Sequence, residues 1–195
     1  ASDGWLIYAN SRSNDALTGA NALLATSTNS FKQYGKSFAD GAPLAQASGN
    51  AVVYSFTPEI TASLTGSVDK VYDGTAVASL SAANFAVEGL LDGDMVTIAP
   101  ATGSYLGAGT GAGDGLNARD VGTGKTVTSG VSIAQGGQSV YGYQLTNSTA
   151  TAAVGAITPA SLTISATTDN KIYDATTSSA VSPTLTSGNL GTGDT

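Results

Sequence analysis

The side chains able to do chemistry in this chain are carboxylates, lysines and hydroxyls, because its 195 residues include no histidine and no cysteine. That excludes a Ser-His-Asp triad, a Cys-His pair, a histidine base, a Cys/His zinc site and any disulfide. Glu59 or Glu88 with a nearby Asp could form the carboxylate pair of a glycosidase. Nothing in the sequence marks a cleft around them, and no activated acid–base pair can be named. Asp92, Asp94, Asp114 and Asp120 could supply oxygens to calcium. No spacing among them matches a calcium loop, and each also suits its own turn by accepting backbone N–H bonds. Gly122-Thr123-Gly124-Lys125-Thr126 has the look of the end of a phosphate-binding loop. Arg119 stands where that loop needs its first glycine, and an alternating strand pattern follows instead of a helix. The Gly107–Gly115 run fails the dinucleotide fingerprint in the same way and reads as a flexible loop. Asn147-Ser148-Thr149 fits an N-glycosylation acceptor, a signal normally silent in a bacterial protein. Lys70 and Lys125 are candidates for an amide crosslink to an Asn or Asp, which would lower the mass by about 17–18 Da through loss of ammonia or water. No catalytic residue, cofactor-binding residue or metal ligand is assigned on these grounds, and the expectation is a protein that is not an enzyme and carries no cofactor.

The elements that would position these residues are strands. Gly, Ala, Ser and Thr account for 105 of the 195 residues, so a core of large side chains must be thin. Thin cores suit small β modules better than helical bundles. No window of twelve residues sustains a helical apolar stripe. Asp15–Leu24 and Ser81–Val87 are the two segments with some helical character. Period-two alternation is common: Tyr141, Tyr143 and Leu145; Leu162, Ile164 and Ala166; Val127, Val131 and Ile133. Such patterning puts one face on a core and the other in water, as in antiparallel sheets. Trp5–Ala9, Ala51–Phe56, Ile60–Leu64, Lys70–Tyr72 and Met95–Ile98 read as further strands. Turns at Asp73-Gly74, Asp92-Gly93-Asp94, Asp114-Gly115 and Gly136-Gly137 separate them. Residues 10–50, with Asn10, Asn14, Asn21, Asn29 and Asn50, read as a long excursion that packs through Phe31, Tyr34 and Phe38. Fourteen acids against seven scattered bases, a formal charge of −7, oppose nucleic-acid binding. No apolar stretch is long enough to span a bilayer as a helix.

The strongest signal is an internal repeat. Leu64–Ala76 and Leu162–Thr177 share Lys-[Val/Ile]-Tyr-Asp, pairing Lys70 with Lys171, Tyr72 with Tyr173 and Asp73 with Asp174. Leu80 and Asn84 answer Leu185 and Asn189, and Gly93-Asp94 answers Gly193-Asp194. The expected organisation is a leading segment at 1–57, the end of a β-helix plus a linker; a complete repeat at 58–160; and the start of a second repeat at 161–195. The fold expected is all-β, as small antiparallel immunoglobulin-like sandwich repeats. A β-grasp repeat is the alternative and would need a real helix across Ser81–Leu91. Lys70 and Tyr72 share one face of a strand, which suggests tyrosine packed at a core edge with lysine lying along it. A sugar platform of exposed tyrosines is the functional alternative.

The repeat resembles the YDG repeats of large filamentous haemagglutinin-like bacterial exoproteins, the adhesins of two-partner secretion. The resemblance rests on Lys70-Val71-Tyr72-Asp73-Gly74-Thr75, Gly89-Leu90-Leu91-Asp92-Gly93-Asp94, Asp120–Val127 and Ile157-Thr158-Pro159-Ala160-Ser161-Leu162, in that order. Trp5-Leu6-Ile7-Tyr8 with Tyr54-Ser55-Phe56 is similar to the segment that joins the β-helical shaft of such proteins to their repeats. Ala175 departs from the motif by replacing its glycine. What the resemblance implies is a secreted or outer-surface protein of a Gram-negative bacterium, used in adhesion or biofilm, with adjacent repeats and a host glycan or matrix protein as partners. The leading expectation is a stalk or spacer module. A carbohydrate- or host-protein-binding module and a self-assembling fibre subunit are the alternatives.

Overall fold

A computed structural model describes residues 5–9, 30–41, 50–99, 101–107, 118–134 and 139–195. The described residues are all-β, with no helix of seven or more residues. They divide into two compact units. One draws on residues within 1–66, 80–102 and 129–152, the other on residues within 67–79, 103–128 and 153–195.

The first unit is organised by a four-stranded sheet of order β1-β3-β2-β10, formed by β1 Leu6–Ala9, β2 Phe31–Gln33, β3 Ala51–Tyr54 and β10 Val140–Tyr141. Every pairing in it is parallel. Parallel strands with both faces covered bury every residue instead of alternate ones. All of β3 is accordingly buried, and so is all of β2, including Lys32 and Gln33. One face carries Phe31, Ala51 and Val53, with Tyr8 and Tyr141 against them. The register pairs Lys32 with Val52 and with Val140, which puts the lysine on the other face. There Tyr34, Val52, Tyr54, Ile60, Val96, Val140 and Tyr143 form the larger core. Tyr34 stacks on Tyr54 at 5.1 Å between centroids and meets Tyr143 edge-on at the same distance. Each such pair adds about 0.5–1.5 kcal/mol beyond its buried area.

A three-stranded sheet of order β11-β4-β7 completes this unit, from β4 Glu59–Leu64, β7 Phe85–Glu88 and β11 Gln144–Leu145. The strand β4 alternates strictly, Ile60, Ala62 and Leu64 inward and Glu59, Thr61 and Ser63 outward. The second unit holds most of a five-stranded sheet of order β5-β12-β9-β8-β6: β5 Val68–Val71, β6 Val77–Ser79, β8 Thr102–Tyr105, β9 Gly122–Gly130 and β12 Thr149–Thr158. It also contains the exposed hairpin of β13 Thr163–Ser165 and β14 Thr184–Ser187.

Several expectations are corrected. Antiparallel pairing holds for β4–β7, β8–β9 and β13–β14, but β4–β11 and β5–β12 are parallel, like the whole first sheet. Tyr141–Leu145 is not one strand. It breaks at Gly142, whose φ is +87° and where a Cβ would lie 2.2 Å from the Tyr34 carbonyl oxygen. Only glycine tolerates both demands. Met95–Ile98 keeps its in–out alternation but gains no ladder, only a bridge from Ile98 to Ile133. The Val127 strand ends at Gly130, before Val131 and Ile133. Ser81–Val87 is a single 3-10 turn, Ala82–Asn84, running into β7, so the helix a β-grasp repeat requires is not formed. Phe31 and Tyr34 pack as expected, whereas Phe38 is 81% exposed and meets only the edge of Tyr8 among the aromatic rings described. Asp15–Leu24, Asn10, Asn14, Asn21, Asn29, the 108–115 part of the glycine run with Asp114-Gly115, and Gly136-Gly137 lie outside the described residues.

Candidate functional site: the repeated turn and its acceptor loop

The repeated Lys-x-Tyr-Asp segment forms the same clasp in both copies. In the first, the Asp73 Oδ1 accepts from the Lys70 ammonium (2.7 Å), the Thr75 amide (2.9 Å) and the Thr75 hydroxyl (2.8 Å). The lysine also donates to the Thr75 hydroxyl and carbonyl oxygens, and lies over the Tyr105 ring, 5.6 Å from its centroid. In the second copy the Asp174 Oδ1 accepts from Lys171 (2.8 Å) and from the amide (3.0 Å) and hydroxyl (2.9 Å) of Thr176. The chemistry explains the motif. A carboxylate two residues before a threonine closes an Asx-type turn, and the lysine three residues before it neutralises the acceptor. These bonds to lysine and to the turn hold the Asp73 carboxyl well down, at about 2, and that of Asp174 below its ordinary value. The residue between aspartate and threonine sits at positive φ in both, +75° at Gly74 and +59° at Ala175.

The Gly-Asp loops also match. Asp94 donates its amide to the Leu91 carbonyl (2.7 Å), and Asp194 donates its amide to the Gly191 carbonyl (3.0 Å). Each aspartate then accepts from tyrosine. Asp194 takes the Tyr72 hydroxyl at 2.9 Å. Beside it, the Thr192 amide donates to the Asp73 carbonyl (3.0 Å) and the Arg119 guanidinium donates to the Thr192 carbonyl (3.1 Å). The loop of the second copy is thus seated on the turn of the first. The bond to Asp194 holds the Tyr72 hydroxyl above its ordinary pKa.

Asp94 is more deeply set. Its Oδ1 accepts from the Lys32 ammonium at 2.6 Å, and its Oδ2 accepts from the hydroxyls of Tyr34 (2.7 Å) and Tyr143 (2.9 Å). The two charged side chains are only 9% and 3% exposed. Burying an ion pair is tolerable only when its remaining lone pairs are satisfied, and the two tyrosines do that. Tyr143 accepts in turn from the Leu91 amide at 2.9 Å, which ties the loop to the core. Burial first, and the Asp94 charge as well, push the Tyr143 hydroxyl up to about 12 and that of Tyr34 higher still. Lys32 and the two tyrosines were not legible as a cluster. A lone lysine between Phe31 and Gln33 carries no motif, and its partner is 62 residues away.

The other sequence candidates are scattered. Glu59 and Glu88 lie on exposed strand positions. Asp92 occupies its turn at a φ of +52°, and Asp120 is exposed. Among the described residues no three acids gather to hold a metal ion. Gly122–Thr126 belongs to β9 with Lys125 facing inward, where no helix N-terminus is available to cradle phosphate. Asn147 serves the fold, as its amide oxygen accepts from the Ala62 amide and its nitrogen donates to the carbonyls of Ala62 and Thr149. Lys70, a crosslink candidate, is committed to the clasp. A groove of about 260 Å³ lies beside the seated loop, lined by Tyr72, Val121, Leu162, Leu190 and Asp194 among others.

The described residues are all-β, and the second unit carries both copies of the polar clasp, the first of which holds the loop at residues 191–194. A YDG domain is found at residues 57–152. No curated protein and no solved structure matches the chain. Among the described residues no helix is long and apolar enough to cross a membrane.

Proposed function

We propose that the chain is a non-enzymatic stalk or spacer module of a secreted, filamentous haemagglutinin-like adhesin exported by a two-partner system to the surface of a Gram-negative bacterium. The observation that carries this reading is the seating of residues 191–194 on the Tyr72-Asp73-Gly74 turn. The conspicuous polar residues of the repeat are spent on one another and on the next copy, as a spacer requires. The parallel sheet of β1, β3, β2 and β10 supports reading residues 1–57 as the end of a β-helical shaft. Small immunoglobulin-like sandwiches remain the repeat fold we favour. Pulling the chain by its two ends in a force spectrometer tests the reading. A spacer gives discrete, reproducible unfolding events, whereas featureless extension would remove the basis for a load-bearing role.

A second reading, a carbohydrate- or host-protein-binding module, is favoured by the groove beside Tyr72, where an aromatic ring, apolar walls and the Asp194 carboxylate adjoin. It predicts binding that is lost when Tyr72 is replaced by alanine.

A further inference from the structure

We propose that the third residue of the repeated turn decides whether that turn takes up the Gly-x-Gly-Asp loop of a following copy: glycine at 74 admits it, and alanine at 175 refuses it. The inference rests on the geometry of the two turns and not on the adhesin reading. Gly74 is buried beneath its guest. A Cβ built on it would stand 2.2 Å from the Thr192 nitrogen, 2.6 Å from the Thr192 oxygen and 2.7 Å from the Gly191 carbonyl carbon. All three are backbone atoms, which no rotamer change can move aside. The obstacle is therefore absolute for this mode of seating, unlike a clash with the tip of a flexible side chain.

The second copy supplies the comparison. Its aspartate accepts the same three bonds, so the turn itself accepts alanine at a φ of +59°. What differs is the third residue, which carries a Cβ in the second copy and none in the first. A loop approaching Ala175 as residues 191–194 approach Gly74 would meet a methyl group where its own backbone must lie. The partner that fits a glycine turn is thus a Gly-x-Gly-Asp loop whose aspartate takes the tyrosine hydroxyl. In an array, copies joined at glycine turns are locked, and an alanine turn leaves a hinge.

Amide hydrogen exchange on the whole chain, read by NMR, tests this. The diagnostic probe is the Thr192 amide, which donates to Asp73 across the joint. The Tyr72 amide, which donates to Thr158, reports that the turn and its strand are intact. Gly74→Ala should bring Thr192 to within about tenfold of its unstructured exchange rate while Tyr72 stays protected. Tyr72→Phe, which removes only the hydroxyl bond, should lower Thr192 protection by less. Ala175→Gly should leave Thr192 unchanged. Retained Thr192 protection in Gly74→Ala would overturn the proposal, because the loop would then seat over a methyl group. Loss of Tyr72 protection in that variant would overturn it too, because the turn would not tolerate the alanine that its twin carries.

Discussion

Replacing Asp94 with alanine strands the Lys32 ammonium inside the aromatic core. The lysine side chain is 9% exposed, its carboxylate partner lies 2.6 Å away, and β2 is fixed between β3 and β10, so the ammonium has no short route to water. Removing one partner of a buried pair costs about 3–5 kcal/mol, mostly the desolvation of the charge left behind. Lys32→Met removes the cation but leaves Asp94 with the hydroxyls of Tyr34 and Tyr143, so a smaller loss of about 1–3 kcal/mol is expected. The double variant Lys32→Met/Asp94→Ala should be less damaging than the sum of the two by about 1–3 kcal/mol, because neither charge remains to be stranded. It should not regain wild-type stability, since both tyrosine hydroxyls lose their acceptor. The assay is urea unfolding followed by tryptophan fluorescence. Trp5 is the single tryptophan and packs against the same core. The reasoning is refuted if Asp94→Ala costs less than about 1 kcal/mol, or if the two substitutions add with no coupling.

Three further outcomes follow from the same geometry. The raised hydroxyls of Tyr143 (about 12) and Tyr34 contribute stability that is complete below pH ~10, where an unfolded tyrosine is still neutral, and that is lost as pH rises further, through 12 for Tyr143 and beyond it for Tyr34. Urea midpoints measured from pH 8 to 12 should therefore fall only above about pH 10. Asp73, held at about 2, favours the folded clasp above pH ~4, and that contribution disappears as pH falls through 2. The side chain is 53% exposed, so the effect on global stability is small. The check is the carboxyl carbon shift of Asp73, which should titrate near 2 and return toward the ordinary range in Lys70→Met. Gly142→Ala should cost at least about 2 kcal/mol, combining positive-φ strain with a methyl group driven into the Tyr34 backbone. A urea midpoint within error of wild type would mean that the β10–β11 break does not need glycine.

The sequence carried the strand class well where alternation involved large side chains. β4 and the 51–54 core strand were read directly, since Ile60, Leu64, Val52 and Tyr54 leave little else to do. β12, ten residues long, is not legible because Thr149–Thr158 is mostly threonine, alanine and glycine, and its two large side chains, Val154 and Ile157, stand three apart and set no period of two. β2 is not legible for another reason. Lys32 and Gln33 look solvent-facing, yet a covered parallel strand buries both, and the distant Asp94 makes the burial of the lysine tolerable. Of the candidate site, the repeated segment and its turn at Asp73-Gly74 are legible at short range, whereas the closing of Lys70 and Thr75 on Asp73 is not. Nor is the seating of Asp194 on Tyr72, since those residues are 122 apart and no local pattern links them. Tyr72 is partly covered, as expected of a tyrosine at a core edge, but Lys70 lies over Tyr105 instead of along Tyr72.

On the spacer reading proposed above, the Tyr-Asp turn serves the chain's own architecture and not a foreign ligand. The most direct test of that reading is a binding screen of labelled residues 1–195 against a glycan array and purified matrix proteins, run beside Tyr72→Ala and Tyr173→Ala. No saturable, competable binding is expected from any of the three. Saturable binding by the wild-type chain that disappears with either tyrosine would contradict the spacer reading and place recognition at the turn.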